Sequence, residues 1–428
     1  MKSKEIIVQD IKEEMRPGYK LTKAGWIPEG WTYDTIGKSL KIVNSKRKPI
    51  SEDIRKTMQG EYPYYGPTRI QDYIDEYHYE GEFALIAEDG DHFLKYREVA
   101  MTQFANGKFN VNNHAHAIKG TEKCETKWFY WYYNRRSVFS HLTRQGAGRY
   151  KLNKGSLELL PIAYPIKEEQ KRIIKILDTW LFSINTLKNL ISQKQQKKKA
   201  LMQQLLTGKK RFPAFTKATA GKPGFDGEWK EVHLKDLFKR ITRKNTEKNT
   251  NVVTISAQRG LVLQDTYFKK NIASEITDNY FLLQKDEFAY NKSYSNGYPM
   301  GAIKRLKVLD KAVVTTLYIC FDAIDPTQTS RDFFEHFFEE GHLNRGLKKV
   351  ANEGGRAHGL LNVTPKDFFN LQLKAPEYDE QEKIAEVLNA ASKEIELLNQ
   401  KLDALKDQKK GLMQQLLTGK KRLKLTET

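Results

Sequence analysis

The chain has 428 residues, of which 39% are hydrophobic and 11% aromatic, a composition that excludes an intrinsically disordered protein. This length suffices for roughly two to four domains with apolar cores. Lys and Arg exceed Asp and Glu by 20, and the pI is near 9.5. This charge favours a polyanionic partner, most often nucleic acid, over a basic surface that serves only solubility.

Cysteine usage and hydropathy indicate the cell compartment. Cys124 and Cys320 are the only cysteines, and they form no CxxC pair, so a disulfide framework and a thiolate zinc site are both disfavoured. The N-terminal sequence MKSKEIIVQDIKEEM lacks the apolar centre of a signal peptide. No apolar run approaches the ~18 residues of a membrane span. We therefore expect a cytoplasmic protein.

Residues 1–165 form the first predicted domain, which includes a charged N-terminal segment. Short apolar runs at 83–87 and 110–118, separated by Gly, Pro and Asn turn signals, predict strands. The aromatic run at 126–139 predicts a helix, and 145–149 predicts a flexible basic loop.

Residues 166–211 form the second predicted element, a long helix without Pro or Gly until Gly208, which is a plausible C-terminal cap. Its apolar residues recur in alternating steps of three and four. This pattern predicts a coiled coil rather than an ordinary amphipathic core helix. The predicted seam is Ile173, Leu177, Trp180, Ile184, Leu187, Ile191, Lys194, Lys198, Leu201 and Leu205.

Residues 212–376 form the second predicted domain, which begins with a Gly-, Pro- and Lys-rich link. Its apolar pattern repeats that of the first domain: 287–290 corresponds to 82–85, and 314–321 to 111–118. The segment 331–343 contains an aromatic helix like that of the first domain. Because the pattern is kept while polar residues differ, we expect two copies of one fold whose exposed surfaces have diverged.

Residues 377–422 repeat the long helix, followed by a tail at 423–428. The sequence KKALMQQLLTGKKR at 198–211 recurs at 409–422, an offset of 211 residues, with only Ala200 replaced, by Gly411. Such a repeat indicates a duplicated half-protein. The second predicted seam is Ile384, Leu388, Ala391, Ile395, Leu398, Leu402, Leu405, Lys409, Leu412 and Leu416.

The duplication predicts an α+β architecture: two globular mixed α/β domains joined by a pair of long antiparallel coiled-coil helices, as a pseudo-two-fold internal repeat. A helix of about 40 residues is roughly 60 Å long. Antiparallel packing returns the second helix to the first domain without a long crossover. Since 60 Å is also the length of some 17 base pairs at ~3.4 Å each, two domains could read separated stretches of one duplex.

Catalytic motifs are missing from the sequence. It contains no GxxxxGK[ST], no GxGxxG after a strand, no HExxH and no NPPY- or DPPY-type methyltransferase motif. His114 and His116 fit strand packing better than a cofactor or metal site. Glu169 and Lys171 resemble a nuclease E-x-K pair but lie in the predicted long helix, outside a strand context. We therefore predict no catalytic residue and no metal site.

Polar and cationic segments in the two domains are candidates for DNA contact, because Arg and Lys neutralise phosphates while Arg, Asn, Gln and Ser can read base edges. The neighbouring aromatic residues are assigned mainly to the core. The candidates are Arg135, Arg136, Arg144, Gln145, Arg149 and Lys151 in the first domain, and Asn291, Lys292, Ser293, Arg345, Arg356 and His358 in the second.

The repeated LMQQLLTGKKR, closing two heptad helices that each start with a Pro followed by Glu-Gln, resembles the specificity (S) subunits of type I restriction–modification systems. The segments GYKLTKAGWIPEGW, YPYYGPTRIQDYIDEY, EFALIAEDG and FDGEWKEVHLKDLF resemble the same family. The resemblance implies two target recognition domains, each reading half of a split DNA sequence in the major groove. It also implies a subunit that has no cofactor of its own. Its helices would dock two modification (M) subunits that hold S-adenosylmethionine and methylate adenine, and a restriction (R) subunit would use ATP and Mg²⁺.

Two features of the long helices leave alternatives open. Residues beside the seam could form a second apolar stripe for a partner helix, or could simply widen the intramolecular seam. These residues are Met202, Leu206, Met413 and Leu417. Lys194 and Lys198 occupy seam positions where joint burial would be costly. They either extend outward to solvent or mark a point where the seam opens.

Two other functions remain as alternatives to a specificity subunit. One is a stand-alone DNA-binding nuclease with a divergent site. The other is a coiled-coil scaffold whose globular domains bind proteins. The sequence does not identify the recognised bases, because these depend on a few side chains whose direction is set by the fold.

Overall fold

The computed structural model describes residues 16–145, 149–212, 228–264, 277–353 and 361–423. These residues form two compact units. Unit 1 is Met1–Lys188 with Lys401–Thr428, and unit 2 is Asn189–Gln400. Two helices of 39 residues each contribute to both units: a central helix, Lys167–Leu205, and a C-terminal helix, Tyr378–Leu416. Each unit thus contains the start of one long helix and the end of the other.

The described residues of unit 1 form two four-stranded sheets and three two-stranded ones. The first large sheet has the order Ile70–Ile74, Gln59–Tyr65, Lys108–Val111, Tyr79–Glu80. The second, fully antiparallel, has the order Lys41–Ile42, Ala115–Lys119, Phe83–Ala87, Thr102–Ala105. The pairs are Tyr19–Thr22 with Gly25–Pro28, Thr32–Thr35 with Pro161–Tyr164, and Thr143–Gln145 with Arg149–Lys151.

The short helices of unit 1 connect these strands. Two are capped by side chains that accept a hydrogen bond from a backbone N–H of the first turn: Ser51 from Ile54 and Asn153 from Ser156. The α-helices are Ile36–Ser39, Glu52–Thr57, Thr126–Tyr133 and Lys154–Leu159, and the 3₁₀ turns are Asp91–Lys95 and Phe139–His141.

Where the structure describes unit 2, it forms one four-stranded antiparallel sheet with the order Phe238–Ile241, Ile319–Ala323, Phe288–Asn291, Ala302–Arg305. Its other strand pairs are Lys230–His233 with Gln372–Ala375, Val253–Ser256 with Gly260–Leu263, Phe281–Gln284 with Lys311–Val314, and Asn352–Glu353 with Leu361–Asn362. Its short helices are Leu234–Leu237, Arg331–Glu339, Asn344–Val350 and Pro365–Phe369.

The two units repeat one chain topology. In each, a strand, a one-turn helix and a sheet-edge strand follow in sequence, and the central sheet strands precede an aromatic helix: Thr126–Tyr133 in unit 1 and Arg331–Glu339 in unit 2. A two-stranded hairpin, a short helix and a strand then lead into a long helix in both units. This confirms the predicted fold class, an internally repeated α+β architecture with two long helices.

Each core combines aromatic rings with the end of a long helix. In unit 1, Trp31 and Trp128 lie edge to face with ring centroids 5.5 Å apart, and Leu416 of the C-terminal helix is buried in the same cluster. In unit 2, Phe238 packs edge to face on Phe321 at 5.4 Å, within the cluster that buries the end of the central helix. Each globular part therefore depends on the long helices for part of its core.

The predicted local elements are mostly confirmed, with two shifts. Residues 110–118 form parts of two strands rather than one, because the Asn112 side chain accepts a hydrogen bond from the His114 backbone N–H at 2.9 Å and turns the chain. The predicted helix 126–139 ends at Tyr133. The 3₁₀ turn Phe139–His141 follows it instead of a further helical turn.

The heptad seams are buried with the predicted period, since every seam residue of both helices is buried or half-buried. Lys194 extends to the edge of the seam and pairs with Glu394 at 2.5 Å, while Lys198 is half-buried. Lys194 therefore extends outward from the seam, which is the first of the two alternatives for these lysines. Gly208 and Gly419 each terminate a long helix at φ +68, a left-handed conformation that favours glycine.

Candidate nucleic-acid interface

Each unit contains one ion pair that joins the start of one long helix to the segment just after the end of the other. We call these two equivalent ion pairs the clasps. In unit 1, Arg422 donates through Nε and Nη2 to Glu169 at 2.8 and 2.7 Å. In unit 2, Arg211 donates in the same way to Glu380 at 2.9 and 2.6 Å. Both carboxylates are 1% exposed. The bidentate geometry holds each buried charge in a specific orientation.

The residue after each clasp glutamate makes a second repeated contact. Gln170 is buried, accepts a hydrogen bond from the Glu125 backbone N–H at 2.9 Å, and donates to the carbonyl oxygens of Lys123 and Pro165. Gln381 likewise accepts from Ser330 N–H and donates to Pro376 O. The glutamine of the Glu-Gln pair at the start of each long helix thus anchors that helix to the residue that precedes the aromatic helix of its own unit. The E-x-K interpretation of Glu169 loses its basis, since this carboxylate is buried and paired.

The four residues proposed for partner docking lie in or against the chain's own cores. Met202 and Leu206 are 5% and 1% exposed in the core of unit 2. Leu417 is 5% exposed in the core of unit 1, and Met413 packs against the same cluster. The alternative that these residues widen the intramolecular packing is therefore the one that the structure favours.

The candidate DNA-contact residues of unit 1 lie in two segments, a hairpin and the residues that follow the aromatic helix. Arg144, Gln145, Arg149 and Lys151 belong to one hairpin, in which Arg144 lies opposite Tyr150 and Gln145 opposite Arg149. Because neighbouring strand residues point to opposite faces, Arg149 and Lys151 share one face, while Arg144 lies on the other with its guanidinium 5.9 Å from the Tyr150 ring. Arg144 and Arg149 are exposed.

Lys151 is less available than its neighbours. Its ammonium lies 3.5 Å from Glu88, which also receives Arg47 at 2.6 Å. Burial opposes the negative charge of Glu88, but the hydrogen bond and the charge of Arg47, together with the charge of Lys151, hold its net pKa below the usual range. The Lys151 charge is therefore already partly balanced within the chain.

Arg135 and Arg136 follow the aromatic helix of unit 1. Arg135 is exposed and donates to the carbonyl oxygen of Arg97 at 3.2 Å. Arg136 lies over the Tyr132 ring at 3.8 Å from the centroid. The stacking leaves Arg136 half-buried and fixes its direction, while Arg135 is exposed.

The candidates of unit 2 are more dispersed. Asn291, Lys292 and Ser293 lie at the end of a central strand, where the Asn291 side chain accepts a hydrogen bond from Ser293 N–H and Lys292 donates to Val363 O at 3.4 Å. Arg345 is exposed on the helix Asn344–Val350. Arg356 and His358 lie outside the described residues.

His116 links the sheet of unit 1 to the base of the candidate hairpin. Asn44 accepts from Ala117 N–H, so its amide nitrogen donates to His116 Nδ1 at 2.8 Å, and His116 Nε2–H donates to Leu152 O at 2.7 Å. Burial lowers the pKa of His116 below its usual 6.5. The ring is therefore neutral and structural, in agreement with the packing interpretation of this residue.

We expect the unit 1 hairpin to weaken on acidification. Because the folded pKa of His116 is depressed, the unfolded chain takes up a proton first. The stability that neutral His116 contributes to the folded chain is complete above the ordinary histidine pKa of about 6.5 and is lost as the pH falls below that value. Urea midpoints at about pH 7.5 and 5.5 should differ more for wild type than for His116→Gln, which cannot titrate. An equal shift in both proteins would contradict a role for this histidine.

The described residues offer neither a metal site nor a reactive thiol. Among the described residues, no group of three or more His, Cys, Asp or Glu side chains could hold a metal ion. Cys124 and Cys320 are buried, and burial raises the thiol pKa of both, to about 12 for Cys320. No helix in the described parts of the chain is long and apolar enough to cross a membrane.

Sequence reasoning missed the clasps and the Gln contacts, although a signal was available. The repeat offset that relates the seams also relates Glu169 to Glu380 and Arg211 to Arg422. Opposite charges repeated together at a fixed offset at both helix ends could have indicated the pairs. The fold and these surfaces define the class of the protein: an internally duplicated, basic binding protein with two equivalent α+β parts.

Comparison with known proteins identifies the family. Residues 28–197 and 226–407 match the type I restriction modification DNA specificity domain, and they cover most of the chain, which therefore belongs to this family. A putative type I restriction enzyme specificity subunit of Haemophilus influenzae is 42% identical over 137 residues, 32% of this chain and 34% of the relative. The putative MjaX specificity subunit of Methanocaldococcus jannaschii is 24% identical over 98% of this chain and 99% of its own.

A solved structure shows the same fold. The S subunit of a type I restriction–modification system from M. genitalium superposes with a TM-score of 0.58 at 14% identity, covering 96% of this chain and 100% of that chain. Within such a system, the function of this chain is DNA sequence specificity, and it is not the catalytic subunit. The nuclease and scaffold alternatives have no support from these comparisons.

Proposed function

We propose that each unit reads one half of a bipartite DNA site and that the long helices dock two M subunits. In the assembled complex, S-adenosylmethionine would be held by the M subunits, and ATP and Mg²⁺ by the R subunits. The complex would act in the cytoplasm. This chain would contribute recognition and spacing, with no cofactor of its own.

The observation that carries this proposal is a shared topology with diverged surface residues. After the equivalent strands Phe83–Ala87 and Phe288–Asn291, unit 1 has Glu88 and Asp89 whereas unit 2 has Lys292 and Ser293. The buried clasps, by contrast, are the same in both units. Two units that bind the DNA backbone in the same way but read different bases need a shared fold with different exposed side chains. The reason is that contacts to the DNA backbone position a protein, while contacts to bases distinguish sequences.

Methylome sequencing of a host that carries this chain with its M partner tests the proposal directly. The expected result is a split motif with adenine methylation on both strands. Replacing residues 49–149 with the equivalent segment of another family member should change one half of that motif and leave the other intact. A contiguous motif, or a change in both halves, would contradict the division of recognition between the units.

The purified chain alone should bind duplex DNA with an affinity that falls steeply with salt, because each neutralised phosphate contributes about −0.9 to the slope of log K against log salt. It should neither methylate nor cut the DNA. Mg²⁺-dependent cleavage by the chain alone would support the nuclease alternative. Binding to proteins that is insensitive to salt, without DNA affinity, would support the scaffold.

Within unit 1, we expect Arg149→Ala to weaken recognition of one half-site. If the guanidinium contacts a base edge, the change should cost about 1–3 kcal/mol and relax the motif at one position. If it contacts phosphate, affinity should fall for all sequences alike. Lys154→Ala is the matched control, because Lys154 is already paired with Glu158 on a nearby helix. Equal binding by wild type and Arg149→Ala would remove this arginine from the interface.

A further inference from the structure

The two aromatic helices can be aligned residue by residue through their contacts with the long helices. Trp131 Nε1 donates to Asp178 at 2.9 Å, and the His336 ring nitrogen lies 2.9 Å from Asn389 at the corresponding place in unit 2. Both helices are also anchored by the equivalent glutamines described above. The alignment therefore rests on two independent contacts in each unit.

This alignment places opposite charges at one equivalent position. Arg135 and Glu340 each lie nine residues beyond the first residue of their helices, Thr126 and Arg331. The long helix that packs nearby carries a lysine from the repeated motif in both units: Lys409 in unit 1 and Lys198 in unit 2. Both units therefore have a lysine at this place, but the equivalent residue of the aromatic helix segment is positively charged in unit 1 (Arg135) and negatively charged in unit 2 (Glu340).

In unit 2 the chain supplies its own anions around the lysine. Burial lowers the pKa of Lys198, and the negative charges of Glu339, Glu335 and Glu340 counteract this shift. Glu335 and Glu339 also pair with Lys307 and Lys304. The half-buried Lys198 therefore lies in a balanced network of acids and bases.

In unit 1 the equivalent lysine lies among cations. The Lys409 ammonium lies over the Trp131 ring, 4.6 Å from its centroid. Burial lowers the pKa of Lys409, and the positive charges of Arg135 and Lys188 lower it further. Within the described residues, no carboxylate forms an ion pair with any of these three cations. A half-buried ammonium beside two like charges is unfavourable unless an anion balances it.

We infer that Arg135, Lys188 and Lys409 form a phosphate-binding subsite in unit 1, which the carboxylates of unit 2 replace at the equivalent place. The ligand is a tetrahedral phosphate group, from the DNA backbone or free in solution. An arginine can present a planar pair of donors, while the two lysines act as point charges. The part of this inference that assigns the phosphate to DNA rests on the proposed function.

The test uses the full chain with inorganic phosphate as the first probe. At matched ionic strength, phosphate should raise the melting temperature of wild type relative to chloride. Arg135→Glu, which copies Glu340 of unit 2, should abolish this rise. Lys188→Gln, at an exposed helix position where the change carries little structural cost, should reduce it. Lys175→Gln, on the same helix away from the three cations, should keep it.

Duplex DNA is the second probe and identifies the source of the phosphate. If the subsite takes a backbone phosphate, Arg135→Glu should bind roughly tenfold more weakly near 50 mM salt, and its salt slope should be smaller by about 0.9. Glu340→Arg should increase the slope instead. Phosphate protection with an unchanged DNA slope assigns the subsite to a free anion.

The outcomes separate this inference from the proposed function. Loss of phosphate protection in Arg135→Glu in a chain that binds no DNA would support the subsite and overturn the DNA function. Three results together would overturn the subsite alone. Wild type would bind DNA in a salt-sensitive way, phosphate would not raise its melting temperature, and the salt slope would be unchanged in both Arg135→Glu and Lys188→Gln.

Discussion

Replacing either clasp arginine by alanine should strongly destabilise the unit that contains it. Arg211→Ala and Arg422→Ala each leave a carboxylate that is 1% exposed without its bidentate partner. Removal of one member of a buried pair costs about 3–5 kcal/mol. Arg211 is 25% exposed and Arg422 45%, so we expect the larger loss for Arg211→Ala and about 2–3 kcal/mol for Arg422→Ala, where solvent screens the pair.

Denaturation in urea measures these losses, with tryptophan fluorescence reporting mainly on unit 1, which contains five of the six tryptophans, and circular dichroism reporting on both units. Lys421→Ala is the matched control, because this neighbouring lysine is exposed, and it should change the stability by less than about 0.5 kcal/mol. The double variant Arg422→Ala with Glu169→Gln should recover part of the loss, since it removes the stranded charge. If the double variant is no more stable than Arg422→Ala, desolvation of Glu169 does not explain the effect.

The clasps also show which part of the fold sequence reasoning can reach. The long helices were predicted because their apolar residues follow a local period and their ends repeat almost letter for letter. The clasp partners are 253 and 169 residues apart in the chain. No local period reports such a contact, so only the folded chain brings the charges together.

The candidate interface was harder to predict for a different physical reason. Lys151 has the composition of a DNA contact, but in the structure its charge is shared with Glu88. For Met202 the sequence left open a stripe for a partner helix or a wider intramolecular seam, and in the structure it is buried in the core of unit 2. A residue's type shows what it could bind, whereas its availability depends on neighbours from distant segments. The role of each candidate in DNA contact therefore stays a prediction.

The second large effect should come from Gln170, whose buried amide joins the central helix to the aromatic helix. Gln170→Leu keeps the volume but leaves the Glu125 N–H and the carbonyls of Lys123 and Pro165 without this partner. Each unsatisfied buried group costs about 1–3 kcal/mol, so we expect a loss of roughly 3–4 kcal/mol after partial relaxation. Thermal and urea unfolding of unit 1 measure this loss.

Gln381 provides the matched comparison in unit 2. Two hydrogen bonds of its amide correspond to the three of Gln170, so Gln381→Leu should cost less than Gln170→Leu. Gln170→Glu tests the chemistry rather than the shape. A carboxylate can still accept from the Glu125 N–H but cannot donate to the two carbonyls, and its charge would be buried. Gln170→Glu should therefore be at least as destabilising as Gln170→Leu. Near-native stability of Gln170→Glu would mean that the amide is not what holds the start of the central helix in place.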